Sequence, residues 1–115
     1  MSDLTELRDR MRTFTEERDW DQFHDPKSLI LALVGEVGEL AELFQWLPAD
    51  TARDRAQEPH LHQRTGEELA DVLLYLIRLA DVLDIDLAQA ALHKLEDSTT
   101  RFPPKNFHGQ APEKH

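Results

Sequence analysis

Two acidic pairs sit inside the two most apolar stretches of this chain: Glu36-Val37-Gly38-Glu39 and Glu68-Leu69-Ala70-Asp71. A carboxylate on an apolar helix face is costly unless something compensates its charge. The i,i+3 spacing puts both members of a pair on one side of a helix, about 60° apart. On a helical wheel Glu36 falls among Leu29, Ala32, Leu33, Leu40 and Leu43, all within about 60°. Asp71 falls beside Leu74, Tyr75 and Val82. The fold must therefore bring two core-facing acidic helices to a common neutralising partner. Glu42, Glu67 and Asp81 read instead as ordinary solvated helix charge.

Helical periodicity supplies the frame. A first helix runs from about Asp3 to Arg18, with Leu4, Leu7, Met11 and Phe14 at helical spacing. The segment DWDQFHD breaks the pattern. Asp25-Pro26 then reads as an N-cap with proline at the first helical position, opening a second helix to about Trp46. Residues 48–62 read as a polar, irregular loop. Thr65-Gly66-Glu67-Glu68 resembles a capping box, with the third helix starting there or a few residues earlier and running to about Leu83. A second box, Asp86-Leu87-Ala88-Gln89, opens a fourth helix that fades near Arg101, before Pro103-Pro104. No β-type alternation occurs. The expected fold is all-α, an antiparallel four-helix bundle in one domain over 1–103, with 104–115 a polar, mobile tail. A length of 115 residues suits one domain.

Composition narrows the function. A formal charge of -10 argues against a broad surface for DNA or RNA backbone. The chain has no cysteine, which excludes disulfides and thiolate metal sites. It shows no basic-then-apolar leader and no membrane-length apolar run, so a cytoplasmic location is expected. The compensating partner of the acidic pairs is then a metal ion held by hard oxygen donors. Neither pair has a histidine at i+3, as a di-iron bundle would need, and no EF-hand loop is present. The donors favour Mg²⁺, with Mn²⁺ as a substitute. Magnesium held by several carboxylates in a bundle points to a phosphate-bearing substrate. Gly35 and Gly38 bracket Glu36 and suggest close approach of another helix or of substrate there.

The string from WDQFH at 20–24 through ALVGEVGELAELFQW to Trp46, followed by GEELADVLLYLIRLA, resembles the MazG-like all-α nucleoside triphosphate pyrophosphohydrolases. Within that group it looks like the dCTP pyrophosphatase branch. The likeness covers about Phe14 to Pro103. The family's ExxE, spacer, ExxD hallmark maps onto Glu36, Glu39, Glu68 and Asp71. The resemblance implies Mg²⁺-dependent hydrolysis of a nucleoside triphosphate to the monophosphate and pyrophosphate. dCTP and its 5-substituted analogues would be preferred, a nucleotide-pool cleaning role. It also implies dimers or dimers of dimers, with sites built across subunit contacts, and assigns Trp20, Trp46 and Tyr75 to nucleotide contact.

The remaining candidates follow from the chemistry. Cleavage between the α- and β-phosphates needs neutralised charge on the leaving pyrophosphate and a positioned water. Glu36 or Glu39 could accept the proton of that water. No serine, histidine and acid arrangement is recognisable, so direct water attack is preferred to a covalent intermediate. Lys94 and Arg101, seven residues apart, share one side of the fourth helix and could clamp phosphate oxygens. Ser98 stands where the family pattern K-x-x-x-N-x-x-R has asparagine. His24 is a candidate contact to base or phosphate, Phe23 a core residue and Lys27 a solvated one. Other readings are a pyrophosphohydrolase for dUTP or a damaged nucleotide, and a non-catalytic helical oligomerisation module.

Overall fold

Helices account for all the regular structure in residues 2–112, the part of the chain that the computed structural model describes, and no strand occurs among them. They are α1 (Asp3–Glu17), α2 (Pro26–Phe44), α3 (Ala52–Arg55), α4 (Pro59–Val82), α5 (Leu87–Arg101) and α6 (Pro104–Phe107). A 3₁₀ turn at Asp21–Phe23 precedes α2. Four of these are long, as the periodicity predicts, and α3 and α6 are single turns.

Short polar side chains open three of the long helices. Ser2 Oγ accepts the Thr5 N–H at 3.1 Å. Asp25 accepts the Ser28 N–H at 2.9 Å, with Pro26 beginning α2. Asp86 accepts the Gln89 N–H at 3.1 Å. Each satisfies a donor that a helix start leaves free. The fourth start departs from the capping-box reading. Thr65 lies inside α4, and its hydroxyl donates to the Leu61 carbonyl at 2.7 Å. Pro59 sets the start instead, since its missing N–H costs nothing at the first helical position. The segment 48–62 therefore holds α3 and the first turn of α4. Residues 104–107, expected as tail, form α6, whose Phe107 meets Phe102 edge-on at 5.1 Å between ring centroids. Residues 113–115 lie outside the described part.

Helices α1 and α4 end alike. Asp19 (φ 52°) and Asp84 (φ 61°) adopt the left-handed conformation just past the C-cap. The Trp20 N–H then reaches back to the Thr15 carbonyl at 3.0 Å, and the Ile85 N–H to that of Ala80 at 2.8 Å. These are Schellman closures with aspartate where glycine is usual. The first directs the chain from α1 into the segment carrying Trp20, Asp21 and His24.

Packing is concentrated on α4, which lies against α2 and, less extensively, against α1. Helix α5 has no comparable contact with another described element. Only Leu29, Ile77 and Ala80 are buried apolar side chains among the described residues. The radius of gyration is 17.4 Å, against about 13 Å for a closed domain of this length. Ile30, Leu31, Val34 and Val37 on α2, and Leu92 and Leu95 on α5, are exposed. Phe23, expected in the core, is also exposed. A single copy thus leaves much apolar surface in water. Among the described residues, nothing beyond the local helix lies within 4 Å of a Cβ built on Gly35 or Gly38. The close approach expected there is therefore not made by these residues of the same copy.

Candidate functional site

The α2–α4 contact brings carboxylates from both acidic pairs together. Oxygens of Glu36, Glu39 and Glu68 lie within 4.8 Å of one another. Glu68 is 6% exposed, Glu36 half-buried and Glu39 exposed. Arg64, one turn earlier on α4, reaches Glu68 Oε1 at 3.4 Å. Glu68 Oε2 and Glu36 Oε2 stay buried without a hydrogen-bond partner among the described residues. Loss of solvation pushes the Glu36 carboxyl up to about 7, and the charges of Glu39 and Asp71 add to the rise. Buried acceptors without donors are rare because they forfeit solvation for nothing. Here they belong to a cluster of converging oxygens, a donor set that suits a hard divalent cation. The three residues therefore fit a metal ion.

Asp71 stands outside that trio but close enough to act on Glu36 through its charge. It lines an open cavity with Met11, Phe14, Thr15, Trp20, His24, Leu74 and Tyr75. Trp20 meets Phe14 edge-on at 5.6 Å between centroids, which fixes the indole at the rim. This cavity offers flat apolar faces together with a carboxylate. Trp20, His24, Asp71 and Tyr75, all predicted, are assembled here from the segment after α1 and from α4.

Three other predicted residues are not brought to this place within one chain. Trp46, just beyond α2, is 85% exposed. Lys94 and Arg101 are exposed on α5, where Arg101 faces Asp97 at 3.8 Å and lies 5.1 Å from the Phe102 ring centroid.

A group that sequence reasoning missed lies behind the His24 side of the cavity. Arg78 is 5% exposed. Its guanidinium donates to Asp21 at 2.6 Å, to His24 Nδ1 at 3.0 Å and to Asp81 at 3.4 Å. Asp81 also accepts two bonds from Arg12, one of them at 2.8 Å. Expected to be solvated, the Asp81 side chain is instead only 9% exposed. The hydrogen bond from Arg12 holds its carboxyl below the usual range. Burial and the Arg78 charge lower the His24 pKa, outweighing Asp21. The signal was available: Arg78 is a charge in an apolar run, as Glu36 is, and Asp81 follows it by three residues.

Comparison with known proteins gives this arrangement its relatives. The MazG nucleotide pyrophosphohydrolase domain matches residues 24–104. The chain belongs to the MazG family. It is 46% identical to dCTP pyrophosphatase 1 of Bos taurus over 108 residues, covering 94% of this chain and 64% of that protein. With the Homo sapiens dCTP pyrophosphatase 1 it is 46% identical over 100 residues, covering 87% and 59%. The chain thus spans less than two thirds of the length of these relatives. The crystal structure of a pyrophosphatase from Archaeoglobus fulgidus superposes with a TM-score of 0.81 at 35% identity, over 90% of this chain and 94% of that one. The MazG membership accounts for an all-α fold built around two acidic helices. No described helix is long and apolar enough to cross a membrane.

Proposed function

We propose that the chain is a Mg²⁺-dependent pyrophosphohydrolase that converts a deoxynucleoside triphosphate, dCTP or a 5-modified dCTP, to the monophosphate and pyrophosphate. The observation that carries this reading is the convergence of Glu36, Glu39 and Glu68 with two buried oxygens left without partners. The similarity to dCTP pyrophosphatase 1 supports the substrate. Glu36, Glu39 and Glu68 would hold the metal, with Asp71 at its edge. When bound, Mg²⁺ (or Mn²⁺) supplies neutralising charge for the phosphates and lowers the pKa of water.

The chain's own groups do the rest. Glu36 or Glu39 accepts the proton of the attacking water. The one that takes it is the carboxylate not bound to the metal at that moment. Trp20 and Tyr75 hold the base by their faces, and His24 contacts its edge. Lys94 and Arg101 clamp phosphate oxygens, and Trp46 completes the nucleotide contact. None of these three lines the cavity of Trp20, Asp71 and Tyr75 within one copy. They join the site across a subunit contact, in a homodimer or a dimer of dimers. The exposed apolar faces of α2 and α5 support that assembly. Action on the nucleotide pool implies a cytoplasmic enzyme.

The test is pyrophosphate release from each common NTP and dNTP with Mg²⁺, for the wild type and Glu39→Ala. Turnover is expected with dCTP foremost, and loss of it in the variant. Absence of turnover on every nucleotide would sink the enzymatic reading, and undiminished turnover by Glu39→Ala would sink the metal assignment.

A further inference from the structure

Arg78 occupies a position where its neighbours in the run from Leu73 to Ala80 are mostly apolar. A residue needed there only for packing would be apolar too. Its guanidinium is spread over three partners on two elements: Asp21 and His24 before α2, and Asp81 on α4. A guanidinium can only donate, so the His24 Nδ1 that receives its Nε–H is the ring's unprotonated nitrogen. The neutral ring must then carry its proton on Nε2.

We propose that Arg78 is a positioning residue, which locks His24 as the Nε2–H tautomer and so presents a hydrogen-bond donor to an acceptor atom of the nucleotide base. The inference rests on reading the cavity of Trp20 and Tyr75 as the nucleotide pocket. His24 borders that cavity and also the larger one behind it, whereas Arg78 borders only the latter. His24 thus stands between the two cavities, with its Nδ1 held by Arg78, which borders only the larger one. The other tautomer would face a base carbonyl or ring nitrogen with a lone pair and repel it. Asp21 and Asp81 fix the guanidinium, and Arg12 fixes Asp81. The lowered His24 pKa is consistent with a neutral ring at pH 7.

Histidine ¹⁵N shifts, recorded by long-range ¹H–¹⁵N correlation on the free protein at pH 7, read the tautomer directly. The expected spectrum shows His24 wholly as Nε2–H, and Arg78→Met shows a mixture. The same variant should raise KM for dCTP on the order of tenfold, with kcat changed much less. An Nδ1–H or mixed His24 in the wild type overturns the proposal, and so does an unaltered tautomer in folded Arg78→Met. An unchanged KM overturns the donor role. Should Arg78→Met fail to fold, an Nδ1–H or mixed His24 in the wild-type spectrum still overturns the proposal. Should the wild type turn over no nucleotide, the pocket reading fails and the donor role with it. The spectrum, needing no substrate, then separately decides whether Arg78 sets the tautomer.

Discussion

Two clusters of partly buried charge lie on α4, and they are satisfied in opposite ways. Around Arg78 every acid has its base: Asp21, Asp81 and Arg12 form a chain of ion pairs closed within the molecule. Around Glu36 there are three converging carboxylates, and Arg64 reaches only one oxygen of Glu68. The first cluster needs nothing from outside. The second is stable only as a compromise, with the Glu36 pKa held up to about 7. The difference teaches that burial of charge alone does not mark a site; burial without an internal counter-charge does. Breaking a matched buried pair destabilises the native state, whereas unmatched carboxylates lend their cost to binding.

The largest effect expected is on catalysis. Glu39→Ala should reduce pyrophosphate release by on the order of a hundredfold or more. In EDTA the same variant should unfold in urea at the same or a slightly higher concentration, because it removes a charge that Glu36 feels as repulsion. Parallel loss of activity and stability would erase the contrast between the clusters.

Asp81→Asn should do the reverse. It strips the carboxylate from Arg12 and Arg78 and should cost about 3 kcal/mol, the lower range for breaking a buried pair. Urea unfolding in EDTA reads it. A cost near zero would show that the Arg78 network is dispensable to stability.

That contrast also explains what the sequence could and could not reveal. Glu36 was legible because an acid amid leucines is anomalous whatever the tertiary structure, but in the second pair the wheel favoured Asp71, and the structure instead buries Glu68 and leaves Asp71 exposed. The starts of α2 and α5 were legible because Asp25 and Asp86 cap their own helices. Thr65 misled because a capping signature is local, while Pro59 upstream had already begun the helix. Asp81 misled because an acid is read as solvated by default, and its partner Arg12 is 69 positions away. Wheel geometry speaks for one helix at a time. It could put Lys94 and Arg101 on one side of α5 but could not say what that side meets, and within one copy it meets little.

Titration should separate the clusters by sign. The folded Glu36 pKa, about 7, lies above the ordinary glutamate value of 4.5. Between those values the folded state holds the proton that the unfolded chain has released. Its contribution to stability therefore falls as pH rises through this window and stays low above it. Asp81 has a lowered folded pKa, so its contribution is present above 3.8 and lost as pH falls through the folded value. Urea midpoints in EDTA from pH 5 to 8 should decline more for the wild type than for Glu36→Gln. Excess Mg²⁺ should abolish the decline, since binding displaces the proton. An identical slope in wild type and variant would show that Glu36 does not titrate in this range.

The smallest effect tests how far the paired cluster extends. Asp84 is the left-handed residue closing α4, and its charge reaches Arg12. Glycine at that position has no Cβ to strain, so Asp84→Gly should stabilise by up to about 1 kcal/mol through the backbone. Asparagine tolerates the same conformation but lacks the charge, so Asp84→Asn should leave stability within about 0.5 kcal/mol of wild type. If Asp84→Asn proves clearly destabilising instead, the Arg12–Asp81 pair depends on a third carboxylate. The network would then be a field of charges rather than a set of contacts. If only the glycine variant shifts the urea midpoint, Asp84 is a turn residue whose charge is incidental, and the paired cluster does not extend to it.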